Sequence, residues 1–440
     1  MSTLVPIIKD KLGNLCTSKN YRSIAISSLF LKIVDWVIIL LYGDSLKLND
    51  LQFAYQPNCS TNMCTWLVVE TIDYFIRNGG EVFACAMDMT KAFDLVVHSK
   101  LLLKLLNASM PPIVVRLLMV MFLTQFANVR WCGALSGTFP LRNGCKQGAV
   151  LSAIAYCVYV NGLFDELRCN KSGCWVGGTF LGLLGYSDDN FLLAPSREAL
   201  QSMLSICESY ALRHGLKFST DSNPIKSKTK CLAFLQTNRA IKPVNLCGND
   251  LQWVNSCMHL GNTITSTMGS DIRGQDIKNK RASFINRSNE ISQEFYFAHP
   301  ATRFKVNCIQ NSHFYGSVLW DLNSKEVGKL EKSWNVSVRK MFNLPWDTHR
   351  YLIEPVSDEL HVRTILARRF VNFISSIRHS SKNALRDFLK YVEYDTRSVT
   401  GRNLRNISLK TNINDIRMLI AKDVKLKYND IPKQKSTVSM

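Results

Sequence analysis

At 440 residues the chain has room for two or three domains, and 46% hydrophobic against 20% charged residues excludes an intrinsically disordered chain. The net charge of +20 points to a polyanionic partner, most simply nucleic acid, with plain solubility as the bland alternative. Residues 271–440 hold 30 Lys/Arg against 17 Asp/Glu, so +13 of the +20 falls there. The 14 cysteines include no Cys-x-x-Cys, and the N-terminus (Met1-Ser2-Thr3-Leu4-Val5-Pro6) has no signal-peptide pattern, which suits free thiols in a reducing compartment. A zinc module is not expected, because only Cys308 follows Cys257. Neither Leu51–Val69 nor Gln147–Phe164, the two long charge-free stretches, reads as apolar enough to span a bilayer; the second reads as a buried helix with its entry loop.

In chain order, Leu4-Val5-Pro6-Ile7-Ile8-Lys9 predicts a short extended run, and Ile26–Tyr42 an apolar helix. Lys9 and Arg22 sit at the edges of apolar segments and read, by themselves, as solvated surface charges. Ser60 or Thr61 is a credible N-cap for a helix to about Arg77, which Asn78-Gly79-Gly80 ends. The charge-free Val82–Met87 predicts a buried strand with Asp88 at its end, a common place for a metal ligand and equally for a helix N-cap, the role Asp94 also suits. Helices are expected over Leu95–Leu106 and Pro112–Phe126, and a hairpin over residues 129–145. The loop Asn143-Gly144-Cys145-Lys146-Gln147-Gly148 feeds a helix over Ala149–Arg168; Gly148 either lets a ligand approach the backbone or belongs to a plain loop.

Phe180–Leu184 and Phe191–Ala194 flank Gly185-Tyr186-Ser187-Asp188-Asp189-Asn190, which reads as a β-hairpin with two adjacent acids at its corner. Such a pair is ordinarily a solvated turn, and a divalent cation is one way to stabilise it beside buried flanks. An amphipathic helix follows from Ser196 to Gly215. Lys226-Ser227-Lys228-Thr229-Lys230 precedes the strand Cys231–Leu235, Val244–Asn255 reads as a further hairpin, and His259-Leu260-Gly261 follows another short strand. From about Gly269 the chain reads as basic and helical, with Trp320, Trp334 and Trp346 among positive charges; these fit a nucleic-acid groove or a helix-bundle core. Ile365–Tyr394 reads as helical, and residues from Pro432 on as frayed.

Two neighbouring strands of one sheet would bring Asp88 to Asp188 and Asp189, and three carboxylates there suit two divalent cations about 3.5–4 Å apart for phosphoryl transfer. At these residues the chain resembles the reverse transcriptase of LINE-type (non-LTR) retrotransposons, of the jockey-like or chicken-repeat-like branch. The motifs run in the family's order. Leu4-Val5-Pro6-Ile7-x-Lys9, Asn20-Tyr21-Arg22-x-Ile24 and Gln52-Phe53-x-Tyr55 with Ser60-Thr61 resemble its fingers motifs. Asp88-Met89-Thr90-Lys91-Ala92-Phe93-Asp94-x-Val96-x-His98 resembles the motif of the first catalytic acid. Asn143-Gly144-x-Lys146-Gln147-Gly148-x-x-Leu151-Ser152 resembles the nucleotide-contacting motif, Tyr186-Ser187-Asp188-Asp189 the catalytic hairpin, Gly215-Leu216 with Lys228-Thr229-Lys230 the next, and His259-Leu260-Gly261 the primer grip.

The resemblance implies an α+β right-hand polymerase: fingers 1–80, palm 81–104, fingers 105–145, palm 146–268, helical thumb 269–350 and a basic helical region 351–440. It implies Asp88, Asp188 and Asp189 as catalytic residues holding Mg²⁺ (Mn²⁺ as substitute), with the Met89 carbonyl assisting. It implies Lys9, Arg22, Phe93, Gln147, Gly148 and Lys228 as nucleotide-binding residues, Phe93 as the ring that crowds a ribose 2′-OH, and either Lys228 or Lys230 as proton donor to pyrophosphate. The partners implied are RNA template, DNA primer and dNTPs, with no membrane, in an intracellular protein of cytoplasm and nucleus. Departures are Ser187 for the usual Ala, Ser23 for a Pro after Tyr21-Arg22, and Ala153 for a Pro after Leu151-Ser152. The chain starts at the first fingers motif with nothing resembling the expected upstream endonuclease, so the expectation is the polymerase portion of a longer element or a truncated, catalytically silent copy that binds RNA.

Overall fold

The N-terminal apolar runs pair as strands before the first helix forms. In chain order the main elements are β1 (Ser2–Ile8), β2 (Tyr21–Ser27), α1 (Leu29–Tyr42), α2 (Thr61–Arg77), β3 (Val82–Met87), α3 (His98–Asn107), α4 (Pro112–Leu123), β4 (Phe126–Trp131), α5 (Val150–Asn170), β5 (Leu183–Tyr186), β6 (Asp189–Ala194), α6 (Arg197–His214), β7 (Lys230–Phe234), β8 (Ser256–His259), β9 (Asn262–Thr265), α7 (Gly274–Glu294), α8 (Pro300–Ile309), α9 (Lys325–Met341), α10 (Val362–Arg378), α11 (Asn383–Val392) and α12 (Val399–Thr411). This computed structural model describes residues 2–146, 148–267, 271–309, 314–349, 352, 361–413, 415 and 418. The chain divides into two units. One comprises Met1–Ser60, Phe83–Cys231 and Ala240–Trp253; the other comprises Thr61–Val82, Leu232–Arg239 and Val254–Met440.

In the first unit β1 is central to a sheet. It runs antiparallel to β2 (Ser2↔Ser27 through Ile8↔Tyr21) and parallel to β4 (Ser2↔Ala127 to Leu4↔Val129). Sequence alone extends the first helix back to Ile26. Instead Ile24–Ser27 stay in β2, and α1 begins only after Ser28, whose hydroxyl caps the Leu31 amide. A second sheet pairs β6 antiparallel with both β3 and β5. α5 buries residues round its whole circumference, among them Leu151, Tyr156, Tyr159, Leu163 and Phe164. By length and composition alone α5 is apolar enough to cross a membrane, contrary to the sequence reading; in the fold it is a core helix of this unit. α6 starts at the Ser196 cap and ends at Gly215, in the left-handed region at φ 71°, as its pattern predicts.

In the second unit the core is aromatic. Trp66 of α2 stands edge-on to Phe373 and Phe388, and Trp334 of α9 packs against Phe284, Phe304 and Phe314. Trp320 is also buried, with its Nε1 donating to Asp276 at 2.9 Å. Of the three tryptophans in the basic region, two are therefore core, and Trp346 alone is exposed. A buried ion pair joins Glu70 to Arg273 at 2.9 Å, and the Thr400 hydroxyl donates to the same carboxylate at 3.2 Å. The helical stretch expected over Ile365–Tyr394 is two helices, α10 and α11, broken at residues 379–382.

Candidate active site

The acid corner follows from strand register. β5 and β6 pair Leu183↔Leu192 through Tyr186↔Asp189, leaving Ser187-Asp188 as a two-residue turn. Ser187 takes φ 62°, the left-handed conformation such a tight turn needs at its first position. Gly185 lets the hairpin sit close: a Cβ there would lie 2.6 Å from the Phe164 ring and 2.8 Å from Asn190 Oδ1. β6 pairs with β3 down to Asn190↔Met87, so the next step of the same register sets Asp189 across from Asp88. Asp88 is held on both sides of its backbone. Its amide donates to Thr229 Oγ1 at 3.3 Å, and its carbonyl accepts from the Ser219 amide at 2.8 Å.

The three acids feel one another. Partial desolvation raises the Asp188 carboxyl, and the Asp88 charge raises it further. Asp189 keeps a solvent-facing edge, yet desolvation and then Asp188 and Asp88 push it up to about 6. Arg22 opposes the shift at both. Among the described residues no three His, Cys, Asp or Glu side chains already stand as a closed metal-ligand set. The donor chemistry nonetheless fits a hard cation: the corner offers carboxylate oxygens from Asp88, Asp188 and Asp189, and a cation would relieve the repulsion that raises the latter two. Met89, next to Asp88, bridges to Phe218, and its buried sulfur accepts a hydrogen bond from the Tyr156 hydroxyl at 3.0 Å.

Beside the acids lies a group of cations. Ile7 pairs with Arg22 in the β1–β2 ladder. The Lys9 ammonium is held below its usual range by desolvation and then by Lys228, Arg22 and Lys91. Arg22 is thus an electrostatic neighbour of both the acid pair and Lys9. Lys91 joins this group, although nothing in the sequence sets it apart within its motif. The structure separates the two candidate lysines. Lys230 Nζ donates to the carbonyls of Pro224 (3.0 Å) and Ile225 (2.9 Å) and to Gln252 Oε1 (2.9 Å), whereas Lys228 is exposed and faces the Lys9 cluster.

Phe93 is half-buried and stacks on the buried Tyr156, ring centroids 4.8 Å apart. Burial, together with the Asp188 and Asp189 charges, raises the Tyr156 hydroxyl well above its ordinary value, so it stays protonated. Tyr156 was not singled out in the sequence; its place on a wholly apolar helix face conceals it. The loop after β4 closes on the Phe93 segment, since Cys145 N donates to Phe93 O at 2.8 Å and Gly144 N to Val96 O at 2.9 Å. Gly148 has φ 108°, and a Cβ there would lie 3.0 Å from the Ala25 carbonyl, so the chain passes close to β2 at this point. Gln147 lies outside the described residues.

His259-Leu260-Gly261 belongs to the second unit. It forms the end of β8 and the tight turn into β9, with Leu260 at φ 45° and Gly261 at φ 77°. The Tyr315 hydroxyl donates to Leu260 O at 2.8 Å. His259 is buried, its Nδ1 lies 3.1 Å from Thr65 Oγ1, and desolvation lowers its pKa to about 3.

Residues 8–261 match the profile of the reverse transcriptase (RNA-dependent DNA polymerase) family. A putative 115 kDa protein in the type-1 retrotransposable element R1DM of Drosophila melanogaster is 25% identical over 275 residues, 60% of this chain and 25% of that protein. A retrovirus-related Pol polyprotein from the retrotransposable element R2 of Nasonia vitripennis is 26% identical over 197 residues, 45% of this chain and 19% of that protein. The chain thus spans a quarter or less of the length of these relatives. Among solved structures, the apo telomerase of Candida tropicalis aligns at 12% identity over 92% of this chain and 67% of that one, with a TM-score of 0.41.

Proposed function

This chain belongs to the reverse transcriptase family, as a domain of the LINE (non-LTR) type, and from that membership we propose that it is an RNA-directed DNA polymerase. It would transfer dNMP from a dNTP to a primer 3′-OH on an RNA template. The observation that carries the reading is Arg22, which neighbours both the carboxylates Asp188 and Asp189 and the Lys9 cluster. A metal-bound triphosphate needs those two kinds of group side by side.

Each residue then has a task. Asp88, Asp188 and Asp189 would hold Mg²⁺, or Mn²⁺ in its place, with the Met89 carbonyl beside them. Bound there, the cations would lower the pKa of the attacking hydroxyl and neutralise the leaving pyrophosphate. Lys9, Arg22, Lys91 and Lys228 would bind the triphosphate, with Lys228 rather than Lys230 free to give a proton to the leaving group. Phe93, backed by Tyr156, would exclude a ribose 2′-OH, and Gln147 and Gly148 would line the same pocket. His259-Leu260-Gly261 would seat the primer, residues 269–350 would form the thumb on the template–primer duplex, and the protein would work inside the cell.

Primer extension by the purified chain tests this, on an RNA template with a DNA primer, dNTPs and Mg²⁺. Template-directed elongation is expected; a folded protein that never extends the primer at any Mg²⁺ or Mn²⁺ concentration refutes it. The alternative is an RNA-binding but catalytically silent copy. It requires salt-dependent RNA binding without extension.

A further inference from the structure

Gln52 lies between α1 and α2 in the first unit and is wholly buried. A buried amide has to satisfy an oxygen and two N–H groups. Oε1 accepts from the Ser187 amide at 2.9 Å and from the Ala54 amide at 3.1 Å, and Nε2 donates to the Ser187 carbonyl at 3.4 Å. Two backbone N–H donors converge on one side-chain atom, so that atom is the oxygen and the orientation of the amide is dictated. The neighbouring main chain is tied to the same hairpin: Phe53 N donates to Gly185 O at 2.8 Å, and Gly185 N to Leu51 O at 2.9 Å.

Ser187 opens the turn that carries Asp188, and its left-handed φ of 62° is unfavourable for a residue with a Cβ. Its amide and carbonyl fall outside the β5–β6 ladder, whose last pair is Tyr186↔Asp189. Gln52 closes on both. Room for its head group depends on Gly185, where a Cβ would stand 3.3 Å from Nε2. We propose that Gln52 is a positioning residue: it fixes the Ser187 main chain from both sides and so sets the direction in which Asp188 and Asp189 leave the turn. It would touch neither substrate nor cation. This rests on the polymerase reading above.

The test uses the full chain with Gln52→Met, which keeps the length and removes the hydrogen bonds of the side-chain amide, and Gln52→Glu, which keeps the acceptor for the Ser187 amide. Three quantities are read: hydrogen exchange at the Ser187 amide, Mn²⁺ affinity of the substrate-free protein by electron paramagnetic resonance, and kcat and KM for one dNTP addition. In the wild type the Ser187 amide should be protected although it lies in a two-residue turn. Gln52→Met should lose that protection, bind Mn²⁺ more weakly, and drop in kcat by about 10- to 100-fold, the range for supporting groups that orient metal ligands. KM for dNTP should hold, since the cations that would face the triphosphate lie just after β1 (Lys9), on β2 (Arg22), after β3 (Lys91) and in the 226–230 segment (Lys228), none of them among the groups that the Gln52 amide holds. Gln52→Glu should recover part of each loss. A wild-type Ser187 amide that exchanges as freely as an open turn overturns the proposal. So does a folded Gln52→Met with unchanged kcat and Mn²⁺ affinity. If Gln52→Met does not fold, the wild-type exchange rate and Gln52→Glu decide. A wild type that fails to extend primers refutes the polymerase reading separately, because amide protection and Mn²⁺ binding are read without substrate.

Discussion

His259 makes the second unit acid-sensitive in a way that can be calculated. Thr65 Oγ1 donates its single hydrogen to the Thr61 carbonyl at 3.1 Å, so the imidazole must donate from Nδ1 to that same hydroxyl oxygen. The ring is buried and neutral, and desolvation depresses its pKa from 6.5 to about 3. Once unfolded, the same ring binds a proton below its ordinary pKa. The unfolded state therefore takes up more protons between those two values, and stability falls as pH drops through that window. One pKa unit is about 1.4 kcal/mol, so this one residue costs about 3 kcal/mol at pH 4.5 and at most about 5 kcal/mol at the bottom of the window. His259→Asn removes the titration and leaves an amide able to donate to Thr65. Urea unfolding, followed by the fluorescence of the buried Trp66, Trp320 and Trp334, should show wild type losing about 3 kcal/mol more than the variant between about pH 7.5 and 4.5. The difference in slope is what counts, because any fixed cost of the substitution cancels. Parallel pH dependence in the two proteins would show that His259 charges within the folded state and refute the reasoning.

Other expectations concern the first unit. Divalent-cation affinity should weaken as pH falls through about 6, because Asp189 must release its proton to act as a ligand; Mn²⁺ titrations at several pH values check this, and a flat profile contradicts it. Phe93→Val should raise incorporation of rNTPs relative to dNTPs by about 10- to 100-fold, the range for one filled or emptied pocket position, read as a ratio of kcat/KM. Lys228→Ala should lower the rate of nucleotide addition without changing stability. Lys230→Ala should do the reverse, costing about 1–3 kcal/mol in urea unfolding, because it leaves the Pro224 and Ile225 carbonyls and Gln252 without their donor.

The acid corner was legible because it is written in short-range pattern. Val82–Met87 is apolar without a break and stops at Asp88, and the runs around Ser187-Asp188 fix a hairpin whose register leaves little choice. Positions such as Gly148 and Gly215 were also readable, since a left-handed backbone asks for glycine. What escaped depends on contacts distant in sequence. Tyr156 looks like any aromatic on an apolar helix until it is seen beneath Phe93, 63 positions upstream. Gln52 stands in a fingers-like motif, but its tie to Ser187, 135 positions downstream, is not visible in the sequence. Lys228 and Lys230 are equivalent as sequence; the carbonyls of the 224–225 turn tell them apart. The tryptophans near the basic helices suited a groove or a core equally, and only packing decided that Trp320 and Trp334 are core.

The most direct test of the central claim is single-nucleotide incorporation on an RNA template by the wild type beside Asp88→Asn, Asp188→Asn and Asp189→Asn, with Mn²⁺ binding measured on the same samples. Each substitution should weaken cation binding and reduce incorporation by about 10³-fold or more while the fold persists. An Asp188→Asn protein that binds Mn²⁺ and extends the primer as the wild type does would contradict it.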